Sequence, residues 1–288
     1  MATRAAGLNG LKVQGSEYLP SFCIVERLNF MLLTITPFVA DGVANDWQKA
    51  VARLERTLGS ILGNPERDLR AMVICQDRPP LTLKDDRYLF LETKQPKPNK
   101  QDPMAKERDK GTKTVEAFDA ARELSPEYVM LVDGDDLISN TLASYVYQRP
   151  TFDAFCLKRG YKWREGSSHF TLLSGFNQIC ESAFVWRFDK RLFPAYLGKT
   201  YTKRICDQEH NLVEAAMNAE GLQVDKIYEP KAVYITGHVD HIHPSLHKFT
   251  LKRRIKHFVL SPWRSHKLTP ELKAEFGLTH EATKRSEC

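Results

Sequence analysis

Hydrophobic positions along the chain follow two patterns, continuous runs and a spacing of three or four residues. Residues 29–37 form a nearly continuous apolar run, which is typical of a strand buried in a parallel sheet. Apolar side chains then recur every three or four positions between Trp47 and Leu62, and this spacing indicates one face of a helix. A Gly-Asn-Pro triplet at residues 63–65 ends the pattern. This part of the chain is therefore predicted to be a strand followed by an amphipathic helix.

Strand and helix patterns continue to alternate through the first half of the chain. This alternation is typical of βαβ units, so we expect an α/β fold with a mostly parallel central sheet flanked by helices. A charged, Pro-containing loop is expected at residues 92–108, and a polar tail at 261–288. The other predicted elements are strands at residues 69–75, 88–91, 128–132, 152–158, 169–174, 182–186 and 232–235, and helices at 112–124, about 208–220 and 247–260.

Length and composition describe an ordinary globular protein. The chain has 288 residues, of which 42% are hydrophobic and 27% charged, and these values exclude a disordered or collagen-like chain. We predict a lead-in at residues 1–28, a main domain at 29–245 and a basic helical C-terminal extension at 246–288. The net charge of +6 suits a protein that meets phosphates or anionic surfaces.

Cysteine spacing and hydropathy exclude several other classes of protein. The six cysteines form no CxxC pair, which argues against a zinc ribbon and against a dense disulfide scaffold. No apolar run approaches the ~20 residues that a membrane-spanning helix needs. The first thirty residues lack the charged and apolar regions of a signal peptide. We therefore expect a cytoplasmic protein.

The sequence VMLVDGDDL at residues 129–137 is the sharpest candidate for chemistry. Asp133, Asp135 and Asp136 come where a buried strand ends, and open α/β sheets bind ligands at the carboxyl ends of their strands. Acids beside a core cost free energy unless a cation meets them, and oxygen ligands favour Mn²⁺ or Mg²⁺. We expect Asp133 and Asp135 to hold such a metal. Turn chemistry alone is the alternative, and Asp136 is equally suited to capping the next segment.

A strand that ends in this DxD sequence resembles the glycosyltransferases of the GT-A fold, especially the family 2-like enzymes. The preceding helix, DKGTKTVEAFDAARE, also resembles that family. Residues 35–38, ITPF, match its Pro-Thr-like turn after the first strand, and RTLGSILGN at 56–64 matches its next helix. The resemblance covers residues from about 29 to 245. It implies a single Rossmann-like GT-A domain that transfers a sugar from a nucleotide-diphosphate sugar, most simply a UDP-sugar, to a hydroxyl acceptor.

The resemblance also implies how the donor is held. The turn at Thr36 and Pro37, together with Asp77 after the second strand, would hold the nucleotide base and ribose. Lys110 and Lys113 flank a glycine at the predicted start of the second helix, where free backbone amides and lysines make an anion site for the diphosphate. Lysines lying in water on a surface helix are the alternative.

The sequence GHVDHIHP at residues 237–244 is the second concentration of candidate ligands. In many GT-A enzymes a late histidine completes the metal shell, and His238 best matches that place. A neutral imidazole is a good manganese ligand. His241 is the alternate choice, while His243 precedes a proline and is expected to pack or cap.

A pair of acids lies at the predicted start of the helix near residue 208. Inverting family 2-like enzymes carry an acidic pair there, and one carboxylate is the general base that takes the acceptor proton. The family pattern is Glu-Asp, whereas this chain has Asp207-Gln208-Glu209. Either acid is a candidate, with Asp207 narrowly preferred, and a simple N-cap is the alternative for Asp207.

The acceptor is expected to be a saccharide or a lipid-linked saccharide, and no nucleic-acid-binding motif is present. The basic stretch KFTLKRRIKHF at residues 248–258 alternates cations with apolar residues, so it suits peripheral contact with an anionic membrane or packing on the domain.

Three other functions remain as alternatives. A nucleotidylyltransferase of the same scaffold usually has an Arg and a Lys after the first strand, and residues 36–46 contain neither. A metallohydrolase built on the histidines would need a HxHxDH pattern, which is absent. A non-catalytic protein that binds a sugar or nucleotide is the third.

Overall fold

The computed structural model describes residues 30–102, 104–188, 210–237 and 264–279. Strands and helices alternate over the first part of these ranges, as predicted. The helices are α1 (Trp47–Leu62), α2 (Ala105–Leu124), α3 (Leu142–Tyr147), α4 (His210–Ala219) and α5 (Pro270–Glu275). The strands are β1 (Leu32–Pro37), β2 (Leu69–Cys75), β3 (Tyr88–Glu92), β4 (Tyr128–Leu131), β5 (Leu137–Ile138), β6 (Ala154–Leu157), β7 (Arg159–Arg164), β8 (His169–Ser174), β9 (Phe184–Arg187), β10 (Val224–Ile227), β11 (Ala232–Thr236) and β12 (Ser265–Lys267).

The central sheet has seven strands in the order β10-β6-β9-β4-β1-β2-β3. Strands β1 to β4 pair in parallel, β6 pairs in parallel with β10, and β9 runs antiparallel to both of its neighbours. Strands β1, β2 and β4 are buried along most of their length, as expected when α1 and α2 pack on the sheet. The predicted α/β class, with a mostly parallel central sheet flanked by helices, is confirmed.

A second sheet of five strands, in the order β12-β8-β7-β11-β5, has its own small core. The C-terminal residues 264–279 belong to this layer, because β12 pairs with β8 and because Phe276 and Leu278, which follow α5, are buried in its core. At Gly277 the backbone has a φ of +68°, and a Cβ there would lie 2.8 Å from the Cα of Ser60 in α1. A glycine is therefore needed where this segment meets α1. The expectation of a polar tail at 261–288 is wrong for these residues.

The second helix begins at Ala105, seven positions before the predicted start at Thr112. Its first turns are charged and show no apolar face, so hydrophobic periodicity could not reveal them. The start is instead stabilised by Asp102, which accepts a hydrogen bond from the backbone N–H of Met104 and pairs with Arg108. Residues 105–108 are therefore helix and not part of a charged loop.

Among the described residues, no helix combines the length and apolar character that crossing a bilayer requires. The lead-in at 1–28 and the basic stretch at 248–258 lie outside the described residues. The division of the chain at residues 28 and 245 stays a prediction.

We predict that Phe276→Ala destabilises the protein by about 3 kcal/mol or more, because this side chain is fully buried in the second core. Its ring packs edge-on against Tyr161 and Phe170, with centroids 5.9 and 5.8 Å away. Urea denaturation measures the change in the free energy of unfolding. Lys273→Ala, at an exposed position of α5, is the control and should change it by about 0.5 kcal/mol or less. Equal effects of the two variants would contradict a packed second core.

Candidate functional site

The aspartate loop, residues Asp133 to Asp136, follows β4 at the carboxyl edge of the central sheet. Strand β4 pairs in parallel with β1, so this loop lies next to the end of β1. Thr36 and Pro37 are the last two residues of that strand, so the expectation of a turn at these positions is wrong. The aspartate loop contacts the segment after β1, since a Cβ on Gly134 would lie 3.2 Å from Cδ2 of Phe38 and would require a small shift of that ring. The loop and the end of β1 thus form one surface at the strand ends, where α/β proteins bind ligands.

Lys110 supplies the cation that pairs with Asp133, the first acid of the aspartate loop. Its ammonium forms an ion pair with Asp133 Oδ1 and another with Glu181 Oε2, the latter at 2.5 Å. Burial opposes the charged form, but these two carboxylates raise the pKa of Lys110 well above its ordinary value. Burial also raises the pKa of Asp133. The charge of Lys110 opposes this shift, and the charges of Glu181 and Asp135 add to it. The region therefore concentrates negative charge around one lysine.

Asp136 is completely buried and joins three separate segments. Its Oδ2 accepts hydrogen bonds from the hydroxyl of Ser182 at 2.7 Å and from the thiol of Cys180 at 3.2 Å. Its Oδ1 accepts from the backbone N–H of Ile235 in β11 at 3.3 Å. Asp136 is therefore a structural acid that ties the aspartate loop to the segment before β9 and to the second sheet. The capping alternative from the sequence is replaced by this tertiary role.

A ring of hydrogen bonds fixes the shape of the aspartate loop. The N–H of Asp133 donates to Ser182 Oγ at 3.0 Å, and the N–H of Asp136 donates to the carbonyl of Asp133 at 3.0 Å. Ser182 closes the ring by donating to Asp136. Burial, together with the charges of Asp135 and Asp133, raises the pKa of Asp136 well above its ordinary value. The acid is therefore held in its neutral form over a wider pH range than a free aspartate.

Asp77 follows β2 at the same edge of the sheet, at the place after the second strand that the resemblance implied for it. Its Oδ2 accepts from the backbone N–H of Asp41 at 2.9 Å, and its Oδ1 pairs with Lys97 at 2.7 Å. The hydrogen bond to Asp77 raises the pKa of Lys97. Lys97 also lines an open cleft of about 270 Å³ between residues 95–99 and the first turns of α2. Lys97 therefore connects Asp77 to this cleft, although Asp77 does not itself line it.

Lys113 differs from its sequence-based description in two ways. Its side chain is 1% exposed, so the alternative of a lysine in water is wrong for this residue. Its ammonium donates to the carbonyl of Phe38 at 2.7 Å and to Asp109 Oδ2 at 2.6 Å, and Gln76 donates to the other oxygen of Asp109 at 2.9 Å. Lys113 therefore braces α2 against the segments that follow β1 and β2, and its charge is already neutralised.

Lys110 and Lys113 do not lie at a helix N-terminus, because α2 begins at Ala105. Amides beyond the first turn of a helix are used within it, so an anion site made of free backbone N–H groups at this point is wrong. What remains of that prediction is the side chain of Lys110. It is 23% exposed and lies beside Asp133.

Asp207, Glu209, His238, His241 and His243 lie outside the described residues, so their roles stay predictions. The described part of α4 is anchored by Glu214, whose carboxylate pairs with Lys158 at 2.6 Å and with Lys226 at 3.1 Å. Helix α4 is thus fixed to the central sheet through Lys158, which directly follows β6, and through Lys226 in β10.

Glu181 and Ser182 are site residues that the sequence analysis did not find. They precede β9, which pairs antiparallel with β4, so the start of β9 meets the end of β4. The one available signal was a polar Cys-Glu-Ser triplet at 180–182 directly before an apolar strand. The triplet reaches the aspartates only through the pairing of β9 with β4, and the sequence pattern does not reveal that pairing.

The chemistry of the aspartate loop fits a divalent metal. Carboxylate oxygens are ligands that Mn²⁺ and Mg²⁺ accept, and Asp133 already holds a cation in the form of Lys110. Within the described ranges, no three His, Cys, Asp or Glu side chains are arranged to hold a metal ion. A complete shell therefore needs donors from outside those ranges, such as His238, or from a bound nucleotide.

No family model and no curated protein matches the chain. Among solved structures it is similar to the bifunctional IspDF from Campylobacter jejuni, with 13% identity, a TM-score of 0.36, and coverage of 69% of this chain and 49% of that one. It is also similar to S. aureus TarS, with 15% identity, a TM-score of 0.39, and coverage of 72% of this chain and 37% of that one. A third similar structure is the 2-C-methyl-D-erythritol 4-phosphate cytidylyltransferase (IspD) of Francisella tularensis, with 12% identity, a TM-score of 0.40, and coverage of 81% of this chain and 99% of that one. The chain thus spans less than half of the first two proteins.

We predict that Asp136→Asn gains stability relative to the parent protein as the pH rises. With a raised pKa in the folded state, Asp136 binds more protons there than in the unfolded chain, where it titrates near 3.8. The parent therefore loses stability as the pH rises from about 4 towards the raised pKa, and the Asn variant lacks this loss. Urea denaturation of both proteins between about pH 4 and about pH 8 measures the difference.

Asp86→Asn is the control, because Asp86 is 81% exposed and lies before β3, away from the loop. Its difference from the parent should stay flat across the same pH range. A difference for Asp136→Asn that falls with pH would mean that the buried acid is ionised.

Proposed function

We propose that this protein is a metal-dependent glycosyltransferase. It moves a sugar from a nucleotide-diphosphate sugar, which we take to be a UDP-sugar, to a hydroxyl acceptor with inversion. The observation that carries this proposal is the aspartate loop itself, held by Asp136 and Ser182 against the segment after β1. It presents Asp133 and Asp135 at the carboxyl edge of a parallel sheet, with the ammonium of Lys110 beside them.

The donor is held, in this proposal, by residues at the ends of the neighbouring strands β1 and β2 and by α2. Asp77 and the end of β1 at Thr36 and Pro37 hold the base and ribose, and the cleft beside Lys97 accommodates the planar base. Lys110 contributes a positive charge to the diphosphate. Lys113 acts from beneath the site, since it is buried and holds the carbonyl of Phe38.

The metal, Mn²⁺ or Mg²⁺, would be held by Asp133, Asp135 and His238. When bound, it would neutralise the charge that develops on the departing diphosphate. Asp136 is not a ligand here, since both of its oxygens already accept hydrogen bonds inside the protein. Its part is to hold the loop so that the two other carboxylates stay at the surface of the site.

The general base is proposed to be Asp207 or Glu209, just before α4. Inversion requires that this carboxylate reach the acceptor hydroxyl on the face of the sugar opposite the diphosphate. Glu214 supports this by fixing α4 to Lys158 and Lys226. We propose a saccharide or lipid-linked saccharide as acceptor, with the basic stretch at 248–258 as a contact for anionic lipid.

We expect Asp135→Asn to weaken the binding of manganese and UDP by roughly 10²-fold while the fold is kept, because the change removes a ligand and not a core contact. Calorimetric titration of UDP with manganese present measures the affinity, and hydrolysis of a UDP-sugar measures turnover. Asp86→Asn removes an exposed carboxylate elsewhere and should match the parent in both.

The same measurements distinguish the alternatives. Pyrophosphate release from a nucleoside triphosphate and a sugar phosphate, without hydrolysis of a UDP-sugar, would favour a nucleotidylyltransferase. Binding of manganese and UDP without any turnover would favour a non-catalytic binding protein. If the parent binds neither, the proposed function is wrong.

Asp207→Asn and Glu209→Gln are expected to differ sharply. The variant that lacks the general base should lose transfer by roughly 10²-fold or more and keep its affinity for UDP. The other variant should turn over like the parent and thereby serves as the matched control. Steady-state transfer rates, with UDP affinity from calorimetry, decide between the two acids. Two variants with parental turnover would refute the inverting mechanism with a base at this helix.

A further inference from the structure

Glu181 has no part in the function proposed above, yet it holds the same ammonium as the first acid of the aspartate loop. Its Oε2 lies 2.5 Å from Nζ of Lys110, and both side chains are 23% exposed. Asp133 and Glu181 come from segments 48 positions apart, and β4 and β9 bring them together. One cation is thus shared between a predicted metal ligand and an acid of unassigned role.

A shared cation creates a conflict when a metal binds. The carboxylate of Asp133 cannot neutralise a lysine and a divalent ion equally, and the two cations repel each other at short range. A lysine paired with Asp133 alone would therefore compete with the metal. A second carboxylate that holds the ammonium removes most of this competition, because the lysine keeps a partner when Asp133 turns to the metal.

We propose that Glu181 is a positioning residue of the donor site that acts through Lys110. In the free protein it shares the ammonium with Asp133. When the metal takes Asp133, Glu181 retains the ammonium beside the aspartate loop, where it faces the diphosphate of the donor. This inference rests on the proposed function, because it needs a metal at Asp133 and an anion beside Lys110.

Two other roles for Glu181 give different expectations. If Glu181 were itself a metal ligand, its removal would weaken metal binding whether or not Lys110 is present. If the ion pair were only structural, its removal would lower the melting temperature and leave ligand affinities unchanged. A double-mutant cycle with Lys110 separates all three roles, since it isolates the part of the Glu181 effect that passes through the lysine.

The experiment measures the affinities of the full chain for manganese alone and for UDP alone in EDTA, by calorimetry. The variants are Glu181→Gln, Lys110→Met and the double variant, with Glu181→Asp as the conservative rescue. Glu229→Gln is the control, because it breaks a lysine pair at a 71% exposed carboxylate outside the site. Melting temperatures without ligand report whether each variant is folded.

For manganese alone, Lys110→Met should tighten binding about tenfold by removing the competitor, and Glu181→Gln should weaken it about tenfold. In the Lys110→Met background, Glu181→Gln should have no effect. Both single variants should bind UDP alone more weakly than the parent does. Adding Glu181→Gln to Lys110→Met should weaken UDP binding no further. Glu181→Asp should recover most of the parental affinity, because it restores the carboxylate.

Three results would overturn the inference. Weaker manganese binding by Glu181→Gln in both backgrounds would make Glu181 a ligand, and parental affinities with a lowered melting temperature would make the pair structural. If the effects of Glu181→Gln and Lys110→Met on the affinity for UDP were additive, the two residues would act separately. If instead the parent binds neither manganese nor UDP, the proposed function fails and this inference falls with it. Binding by the parent without coupling refutes the inference alone.

Discussion

The need to compensate the negative charge of the aspartate loop determines much of the structure around the site. Three carboxylates lie on one short loop at the end of a buried strand, and a buried ion without partners costs several kcal/mol. Asp136 compensates for this cost by accepting three hydrogen bonds, from Cys180, Ser182 and Ile235, and by a raised pKa that favours its neutral form. Asp133 meets it through Lys110. Each solution requires a partner from a distant part of the chain.

These partners also connect the layers of the fold. Asp136 follows β4 of the central sheet and accepts from the N–H of Ile235 in β11 of the second sheet. Ser182 lies before β9 and bonds both Asp136 and the amide of Asp133. Loss of the loop geometry would therefore disturb strand pairing on both sheets. The loop is held from several directions, which is the arrangement that a site for a charged ligand requires.

Local patterns predicted the parts of this structure whose cause is local. Strands β1, β2 and β4 and helix α1 were found because continuous or periodic apolar runs require burial, and Asp133 was located because it ends such a run. Helix α2 was predicted too short because charge pairs, not an apolar face, stabilise its first turns. Glu181 and Ser182 were missed because strand order brings them to the loop. Burial of Lys113 was missed because its partner is a backbone carbonyl 75 positions away.

The two lysines of α2 show why the site depends on the register of that helix. Lys110 and Lys113 are three positions apart and therefore lie on neighbouring parts of one helix face. Lys113 is buried between Asp109 and the carbonyl of Phe38, and these contacts fix the rotation of α2 about its own axis. That setting brings Lys110 to Asp133 and Glu181. The buried Lys113 thus fixes the position of the half-buried Lys110. The placement of charge at the aspartate loop is consequently a property of the helix as a unit, because the contacts of Lys113 and those of Lys110 are satisfied by the same setting of α2.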